Sequence, residues 1–416
     1  MALTQADISR LDAILRDRPL VDELQVAFNK ATPLAEKITQ QLTLSGRKGI
    51  FPVSFGANEG IYARADKGTF GDSQVDQPVL AEVKAKYIYA LFDISGPTMS
   101  ATRDAPGAFE EALALQLEQT ITGVKLDMAR LILNKNPTNQ NGLICNVQSR
   151  TDADTFVLHN PFGLTYKTNR PVRNLLRKNM PIDIFSTGTG TAQATNSAIS
   201  AVTHSATGTT IDVSPAETGT VAATNDVMRN GNRGNEPDGF FAGVFDTGTY
   251  LNVARAGNDG WKGVVVDATA GGSVPVPLDP DMLRDTLDTI MEVSGRTPNL
   301  IVCNYKQRRN VYNLFAPQIR YAPMVLPAGL REGTLQFDDI SVLAERFFPP
   351  EHIGFVDTET WYHAIDKDVE WIRGLDGTVL HFGAATADVW RAVLRTYRNT
   401  VCFFPAANGY VYGLEE

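Results

Sequence analysis

Cysteine is scarce in this sequence of 416 residues, which contains only Cys145, Cys303 and Cys402. They are odd in number, far apart and outside any CxxC pair, so they do not predict a framework of disulfide bonds. Free thiols of this kind are typical of a reducing compartment, and we expect synthesis in a cytoplasm. Charged residues are mixed with apolar ones through residues 1–20, so we expect no signal peptide there.

Long apolar runs and an excess of positive charge are also missing. No apolar run approaches the roughly 20 residues that a membrane-spanning helix needs. The chain has 38 Lys and Arg against 47 Asp and Glu, which gives a formal net charge of −9. Because dedicated nucleic-acid binders usually have a basic balance, this charge argues against that class of protein.

Motifs for catalysis and cofactor binding do not occur in the sequence. The five histidines lack the spacing of metal ligands, and there is no HExxH pattern. A GxSxG nucleophile elbow, a Walker phosphate loop and a dinucleotide-binding glycine motif are missing too. We therefore predict no enzyme activity, no catalytic residues, no metal and no cofactor.

One basic cluster, residues 167–178, contains five cations and no acidic residue. Its two simplest uses are a solvated surface and a set of ion-pair donors to a neighbouring copy of the chain. Binding of nucleic acid is the alternative, and the lack of interleaved aromatic residues weakens it.

A long hairpin followed by one long helix is the most informative feature of the sequence. Two arms rich in Val, Ile, Phe and Tyr, residues 50–63 and 79–94, flank a polar tip at residues 64–78. An amphipathic helix is then predicted from Asp104, with Pro106 in its first turn, to about Lys135. Such a helix is a rod of roughly 45 Å. These extended parts are better suited to reaching neighbouring subunits than to forming a pocket.

Apolar side chains at steps of three and four residues give this helix one continuous stripe, which predicts that it lies on a sheet. Charged residues, Asp127 and Arg130 among them, occupy its other sides. The stripe consists of Phe109, Leu113, Leu117, Ile121, Val124, Met128, Leu131 and Ile132.

The regions before and after the helix differ in character. Residues 1–45 have short helical stripes, which predict either an ordinary helical pair or an arm that lies across a neighbouring subunit. After the helix, six short β-type runs separated by turns predict a small antiparallel barrel or sandwich. These runs are residues 143–147, 155–158, 182–185, 198–202, 209–213 and 226–229.

The C-terminal half is predicted to be mixed α/β and then β. A helix beginning at Asp279 or Pro280 and ending near Gly295 has the expected N-terminal proline and C-terminal glycine. A buried strand at residues 299–303 and a helix at residues 305–315 follow. Two long strands, at residues 389–403 and 409–414, close the chain.

The order of these parts resembles the major capsid proteins of tailed bacteriophages, which have the Hong Kong ninety-seven phage fold. The C-terminal part carries the resemblance most directly, since residues 394–414, LRTYRNTVCFFPAANGYVYGL, resemble the family's last strands. Residues 243–263, GVFDTGTYLNVARAGNDGWKG, resemble the segment that leads into the A-domain of some members. The resemblance implies an α+β capsid fold whose parts are an N-terminal arm (1–49), an extended hairpin or E-loop (50–94), the spine helix of the P-domain (95–137), an inserted antiparallel β domain (143–233), an α/β A-domain (234–334) and a P-domain β segment with the C-terminus (335–416).

The same resemblance implies a structural virion protein that self-assembles through hexamers and pentamers into an icosahedral head around phage DNA. Scaffold, portal and decoration proteins are the implied partners, DNA is contacted only non-specifically, and no membrane is involved. Some members of the family cross-link a hairpin lysine to an asparagine of a neighbour; Lys67 has a comparable position, but the sequence identifies no partner for it. Another virion component, for decoration or the tail, is the alternative function, and an enzyme with an unmarked site is the third.

Three regions supply the candidate contact residues for assembly. The loop at residues 316–333 is expected where subunits meet at the symmetry axes, because its prolines stiffen it and its apolar residues need a partner. The candidates are Arg64, Asp66, Lys67, Phe70 and Asp72 in the hairpin tip, Leu24 and Phe28 in the arm, and Arg320, Tyr321, Met324 and Arg331 in the loop.

Overall fold

The computed structural model of the chain contains a five-stranded sheet, a six-stranded sheet, a closed six-stranded barrel and two ribbons of two strands each. The residues described are 33–44, 46–56, 61–68, 78–96, 106–135, 142–187, 189–216, 221–315, 335–373, 379–384 and 387–416. The α-helices in them are α1 (Pro33–Lys37), α2 (Pro106–Leu131), α3 (Phe240–Val244), α4 (Pro280–Ser294) and α5 (Tyr305–Phe315).

The strands are numbered along the chain. The first ten are β1 (Gln41–Thr43), β2 (Lys48–Val53), β3 (Val79–Lys84), β4 (Lys86–Ser95), β5 (Leu143–Arg150), β6 (Thr155–His159), β7 (Pro181–Phe185), β8 (Ala192–His204), β9 (Thr209–Ser214) and β10 (Asp226–Arg229). The others are β11 (Thr249–Tyr250), β12 (Val253–Ala254), β13 (Val264–Asp267), β14 (Leu300–Cys303), β15 (Gln336–Phe337), β16 (Ile340–Ala344), β17 (His352–Val356), β18 (Trp361–Trp371), β19 (His381–Ala384), β20 (Ala387–Cys402) and β21 (Gly409–Tyr412).

The spine helix α2 lies on a five-stranded sheet built around the long strand β20. One side of β20 pairs with β4, and the other side pairs with β18 and β19. Leu117 and Ile121 of α2 pack on Phe92, Ile94 and Leu394 of the sheet. Leu117, Ile121 and Val124 of the predicted stripe therefore face this sheet, whereas Ile132, just beyond the helix, packs in the main core. The side chains of Phe109 and Leu113 are not among those described.

The hairpin is shorter than its sequence predicts. In its described residues, pairing between the two arms is confined to β2 and β3, which form an antiparallel ribbon of six residues per strand. The rest of the predicted second arm is β4, which pairs with β20 instead. The predicted first arm, 50–63, is a strand only to Val53. Buried and exposed residues alternate in both β3 and β4, so residues 79–94 have the pattern of one continuous strand although β3 and β4 belong to different sheets.

The region after the spine helix forms a closed six-stranded antiparallel barrel with the strand order β10-β5-β6-β9-β8-β7. All six predicted runs coincide with these strands. Alternate residues point inward, so Val147, Phe156, Ile182 and Ile211 are completely buried. Closure of the barrel through the pairing of β10 with β7 leaves no unpaired strand edge.

A second sheet of six strands, ordered β13-β21-β17-β14-β16-β15, carries α4 and α5 on one face. Asp279 caps α4 by accepting a hydrogen bond from the Asp281 backbone N–H at 3.1 Å, and Gly295 ends the helix with a left-handed φ of 67°. Ile301 and Cys303 face the two helices, whereas Leu300 and Val302 face the main core.

The strands of residues 335–416 pair in two different sheets. Strands β15, β16, β17 and β21 belong to the sheet beneath α4 and α5, and β18, β19 and β20 belong to the sheet beneath α2. Asn408 joins the two sheets, because its buried Oδ1 accepts hydrogen bonds from the Asp357 backbone N–H at 2.8 Å and from Trp361 Nε1 at 2.9 Å.

Residues 33–44 belong to the core of their own chain. Leu34 and Ile38 are buried there, and β1 extends the five-stranded sheet by parallel pairing with β18. The expectation that the arm's stripes lie on another subunit is therefore wrong for this part. No local pattern of residues indicates this pairing, since the partner strand is more than 300 residues away along the chain.

Candidate assembly surfaces

The β2–β3 ribbon has one face packed on the chain and one face exposed. Ala81 and Val83 are buried, and the ring of Phe51 packs edge-on against Phe403 at 4.6 Å. The other face presents Ile50, which is 53% exposed, and Leu80, which is 58% exposed. Apolar side chains arranged on one face of a ribbon are a candidate contact surface for another protein.

The hairpin tip holds three of the predicted contact residues: Arg64, Asp66 and Lys67 are exposed, as is every residue of 61–68. The Arg64 guanidinium lies over the Tyr62 ring at 4.8 Å, and Lys67 has a left-handed φ of 64° in the turn. Phe70 and Asp72 lie outside the described residues. The charges of the described tip thus lie next to the apolar side chain of Ile61 at the end of the first arm, which is 86% exposed.

The face of the five-stranded sheet opposite α2 is a second exposed surface. Alternation along β4 puts Tyr87, Tyr89 and Leu91 on this face. The Tyr87 ring packs edge-on against Tyr397 at 4.8 Å. Arg391 and Asp93 form an ion pair on this face, in which Arg391 binds both carboxylate oxygens of Asp93 at 2.6 and 2.8 Å.

These hydrogen bonds hold the pKa of Asp93 below its usual value. A neighbouring protein could therefore cover Asp93 without leaving its carboxylate unpaired.

A buried ion-pair network holds the end of the spine helix. Arg130 donates two hydrogen bonds to Glu236, at 2.9 and 2.5 Å, and a third to Asp127 at 3.2 Å. Asp127 also pairs with Arg229 of β10 at 3.0 Å. Burial would raise the pKa of Asp127, but the charges of Arg130 and Arg229 outweigh it and lower this pKa. Sequence analysis assigned Arg130 to the polar side of the helix and did not predict its burial.

The basic cluster at residues 167–178 connects the barrel to the six-stranded sheet of the same chain. Lys167 Nζ lies 2.6 Å from Asp267, and Arg170 Nε lies 2.6 Å from Glu351. The Glu351 carboxylate is buried and also accepts a hydrogen bond from the Thr168 hydroxyl at 2.6 Å. The prediction that this cluster serves a neighbouring copy is wrong for Lys167 and Arg170, because folding brings their partners from distant sequence.

A further buried cation, Arg255, was missed by sequence reasoning. Its guanidinium donates to the backbone carbonyls of Gly243 at 3.0 Å and Thr247 at 3.0 Å, and to Trp261 O at 3.3 Å. Burial lowers the pKa of Arg255 to about 10. This side chain fixes the loop that precedes β13; its only sequence signal is a lone cation in the mostly apolar and small segment 248–257.

The side chains that most often carry chemistry are dispersed through the described residues. There, no three His, Cys, Asp or Glu side chains are arranged to hold a metal ion. All three cysteines are buried as free thiols, and burial raises the pKa of each. None of the helices in the described part of the chain is long and apolar enough to cross a membrane.

The other predicted contact residues cannot be located on these surfaces. Leu24, Phe28, Arg320, Tyr321, Met324 and Arg331 lie outside the described residues.

Comparison with known proteins identifies the fold. No protein-family model matches the sequence, and no curated protein matches it. The chain is similar to a chain of the cyanophage A-1(L) capsid asymmetric unit, with 10% sequence identity and a TM-score of 0.55 over 92% of this chain and 93% of that one. It is also similar to a capsid chain of the native GTA particle, with 9% identity, a TM-score of 0.47, and 91% and 89% of the two chains covered. The first of these similarities confirms the prediction of an α+β phage capsid fold.

Proposed function

We propose that this chain is the major capsid subunit of a tailed bacteriophage. In this proposal it is a structural protein, not an enzyme, and assembles through hexamers and pentamers into the icosahedral head that encloses phage DNA. The observation that carries the proposal is the fold similarity to the cyanophage capsid chain, which extends over nearly the whole of both chains.

The distribution of exposed apolar groups supports this function. The outward face of the β2–β3 ribbon and the open face of the five-stranded sheet are separate surfaces, and each presents apolar side chains to solvent. A shell subunit needs several such surfaces, because closed symmetry adds many individually weak contacts into a stable assembly. The predicted contact loop at residues 316–333, with Arg320 and Tyr321, remains part of this proposal.

The negative charge of the chain also fits the interior of a DNA-filled shell. With a net charge of −9, the subunit repels the phosphate backbone on average, so DNA would be contacted only non-specifically. Scaffold, portal and decoration proteins are the proposed partners. The subunit would be synthesised in the host cytoplasm and would function in the virion.

Electron microscopy of the purified full-length protein tests this function. We expect closed shells, or rings of five and six subunits. Tubes or monomers would instead favour a decoration or tail component, and a monomer that turns over a small molecule would favour an enzyme. The concentration dependence of assembly, measured by light scattering, would separate specific closure from aggregation, since closed shells reach a plateau size.

A further inference from the structure

The outer sides of α4 and α5 carry charges of opposite sign. Both helices cover the same face of the six-stranded sheet, where Leu287 of α4 and Val311 of α5 belong to one hydrophobic core. Four acidic residues of α4 follow one another at intervals of four, three and four residues, so they form one stripe along the outward side of the helix. These residues, all exposed, are Asp281, Asp285, Asp288 and Glu292.

The outward side of α5 is basic. Lys306 and Arg309 are exposed, Arg308 is half-buried, and the helix contains no acidic residue. The two helices therefore present complementary charges on the same layer of the molecule.

Ion pairs among the described residues account for only part of these charges. Arg284 pairs with Asp281 at 3.4 Å and Asp338 at 3.2 Å, and Lys306 pairs with Glu416 at 2.6 Å. Among the described residues, no salt bridge is formed by the remaining charges of the two surfaces. These are Asp285, Asp288, Glu292, Arg308 and Arg309.

Stabilisation of each helix by its own dipole does not account for them either. Carboxylates stabilise the N-terminus of a helix and cations stabilise its C-terminus. Glu292 lies in the last turn of α4, which has no basic residue there, and Lys306 and Arg308 lie in the first turn of α5. These three charges therefore lie at the ends where the helix dipole disfavours them, so the dipole does not explain their positions.

Apolar side chains accompany the charges on both surfaces. Met291 and Val293 are exposed on either side of Glu292, and Tyr305 is exposed one turn before Arg309. An interface with an apolar centre and complementary charges at its rim has the composition of a specific protein contact.

We propose that the acidic stripe of α4 binds the basic side of α5 on a second copy of this chain. The inference rests on the proposed capsid function and specifies one of its contacts. A two-fold contact of α4 with α4, or of α5 with α5, would oppose like charges. The charges instead favour a contact of α4 on one copy with α5 on the next. In a ring of subunits this contact is head-to-tail, and it closes where the rotation between neighbouring copies adds up to a full turn.

Charge reversal on each helix tests the contact in the full-length protein. The first variant is Asp285→Lys with Asp288→Lys, and the second is Arg308→Glu with Arg309→Glu. Each alone opposes like charges, so we expect the yield of rings and closed particles to fall by about tenfold or more. Circular dichroism and thermal unfolding would establish that both variants fold.

The chain that carries all four substitutions is the matched control, because it has the net charge of the wild type. Its α4 is basic and its α5 is acidic, so we expect assembly to recover. An equimolar mixture of the two separate variants should also assemble, in alternating order and therefore preferentially into even-numbered rings. This mixture provides a second test if the fourfold variant does not fold.

The outcomes separate this contact from the capsid function itself. A wild-type protein that forms no rings or shells contradicts the proposed function. A wild type that assembles, with folded variants that assemble equally well, overturns the α4–α5 contact alone. Folded variants that are impaired and recover neither in combination nor in the mixture also overturn it, since that pattern indicates a different partner for these helices.

Discussion

Arg130 and Glu236 form a buried ion pair with two parallel hydrogen bonds, which joins the end of the spine helix to the segment after the barrel. The side-chain amides of Asn134 and Asn232 each donate a hydrogen bond to the same carboxylate, at 2.8 Å and 2.6 Å. The chain enters the barrel after the spine helix and leaves it before Glu236. This network therefore holds both connections of the barrel at one point and fixes its attachment to the rest of the subunit.

Replacing Arg130 by Leu should destabilise the subunit by about 3–5 kcal/mol, because the Glu236 carboxylate would stay buried without its cation. Urea unfolding of the unassembled subunit measures this loss. The double variant Arg130→Leu with Glu236→Leu removes both charges and should cost clearly less than the two single losses added together. Strict additivity would show that the pair is not coupled.

Opposite faces of the β2–β3 ribbon should respond differently to a charge. Ile50→Glu with Leu80→Glu alters the exposed face, and we expect the free energy of unfolding to change by at most about 0.5 kcal/mol per substitution. Closed particles should nevertheless be lost if this face is a subunit contact. Val83→Glu on the buried face is the matched control and should unfold the subunit.

Normal particles from the Ile50 and Leu80 variant, seen by electron microscopy, would exclude this face from assembly. Unfolding of that variant would instead mean that the face is part of the subunit core.

Local sequence signals predicted the elements with regular periodicity. The spine helix, α4 with its Asp279 cap and Gly295 end, and the six barrel strands all repeat at the spacing of one secondary structure. The spacing and the cap residues that identify these elements lie close together in the sequence, so they can be recognised from one sequence without the structure.

Long-range pairing could not be predicted in the same way. Strand β4 pairs with β20 across about 300 residues, and nothing in the pattern of residues 79–94 shows where one strand ends and pairing with a second sheet begins. The buried pairs of Arg130 with Glu236 and of Arg170 with Glu351 could not be predicted, because the two members of each pair are brought together only by the fold. The candidate contacts on the hairpin tip were identifiable as exposed, whereas the surfaces of α4 and α5 required the positions of both helices.

The N-terminal segment provides a direct test of core membership. Leu34 is 1% exposed, and its backbone N–H donates to the buried Glu345 carboxylate at 3.4 Å. Leu34→Ala should therefore reduce the free energy of unfolding by about 2–5 kcal/mol. An unchanged urea midpoint would mean that this segment is separate from the core in solution, as an arm reaching a neighbour would be.

Acid should destabilise the subunit through its buried histidines. His352 Nδ1 lies 2.8 Å from Pro350 O, and Nε2 has no hydrogen-bond partner among the described residues. The rings of Tyr166 and Tyr410 pack around it, so a charged imidazole has no compensating group. Burial, aided by the charge of Lys135, lowers the pKa of His352 to about 4. Burial likewise lowers the pKa of His363 to about 4.

The direction in which pH changes the free energy of unfolding follows from the histidine pKa in the unfolded chain and in the folded chain. An unfolded histidine has a pKa of about 6.5, so between pH 6.5 and 4 the unfolded chain binds a proton that the folded chain does not. The contribution of each neutral, buried histidine to the free energy of unfolding is therefore fully present above pH 6.5, and it decreases as the pH falls towards 4. At pH 5 the loss is about 2 kcal/mol for each histidine.

His352→Phe keeps an aromatic ring in this site and removes one of these protons. We expect it to reduce the difference in unfolding free energy between pH 7 and pH 5 by about 2 kcal/mol, measured with urea on the unassembled subunit. The lowered pKa values of Asp93 and Asp127 leave both carboxylates ionised in the folded chain throughout this interval, so they should not obscure the effect. A difference equal to that of the wild type would show that His352 is already protonated, or solvated, in the folded subunit at pH 5.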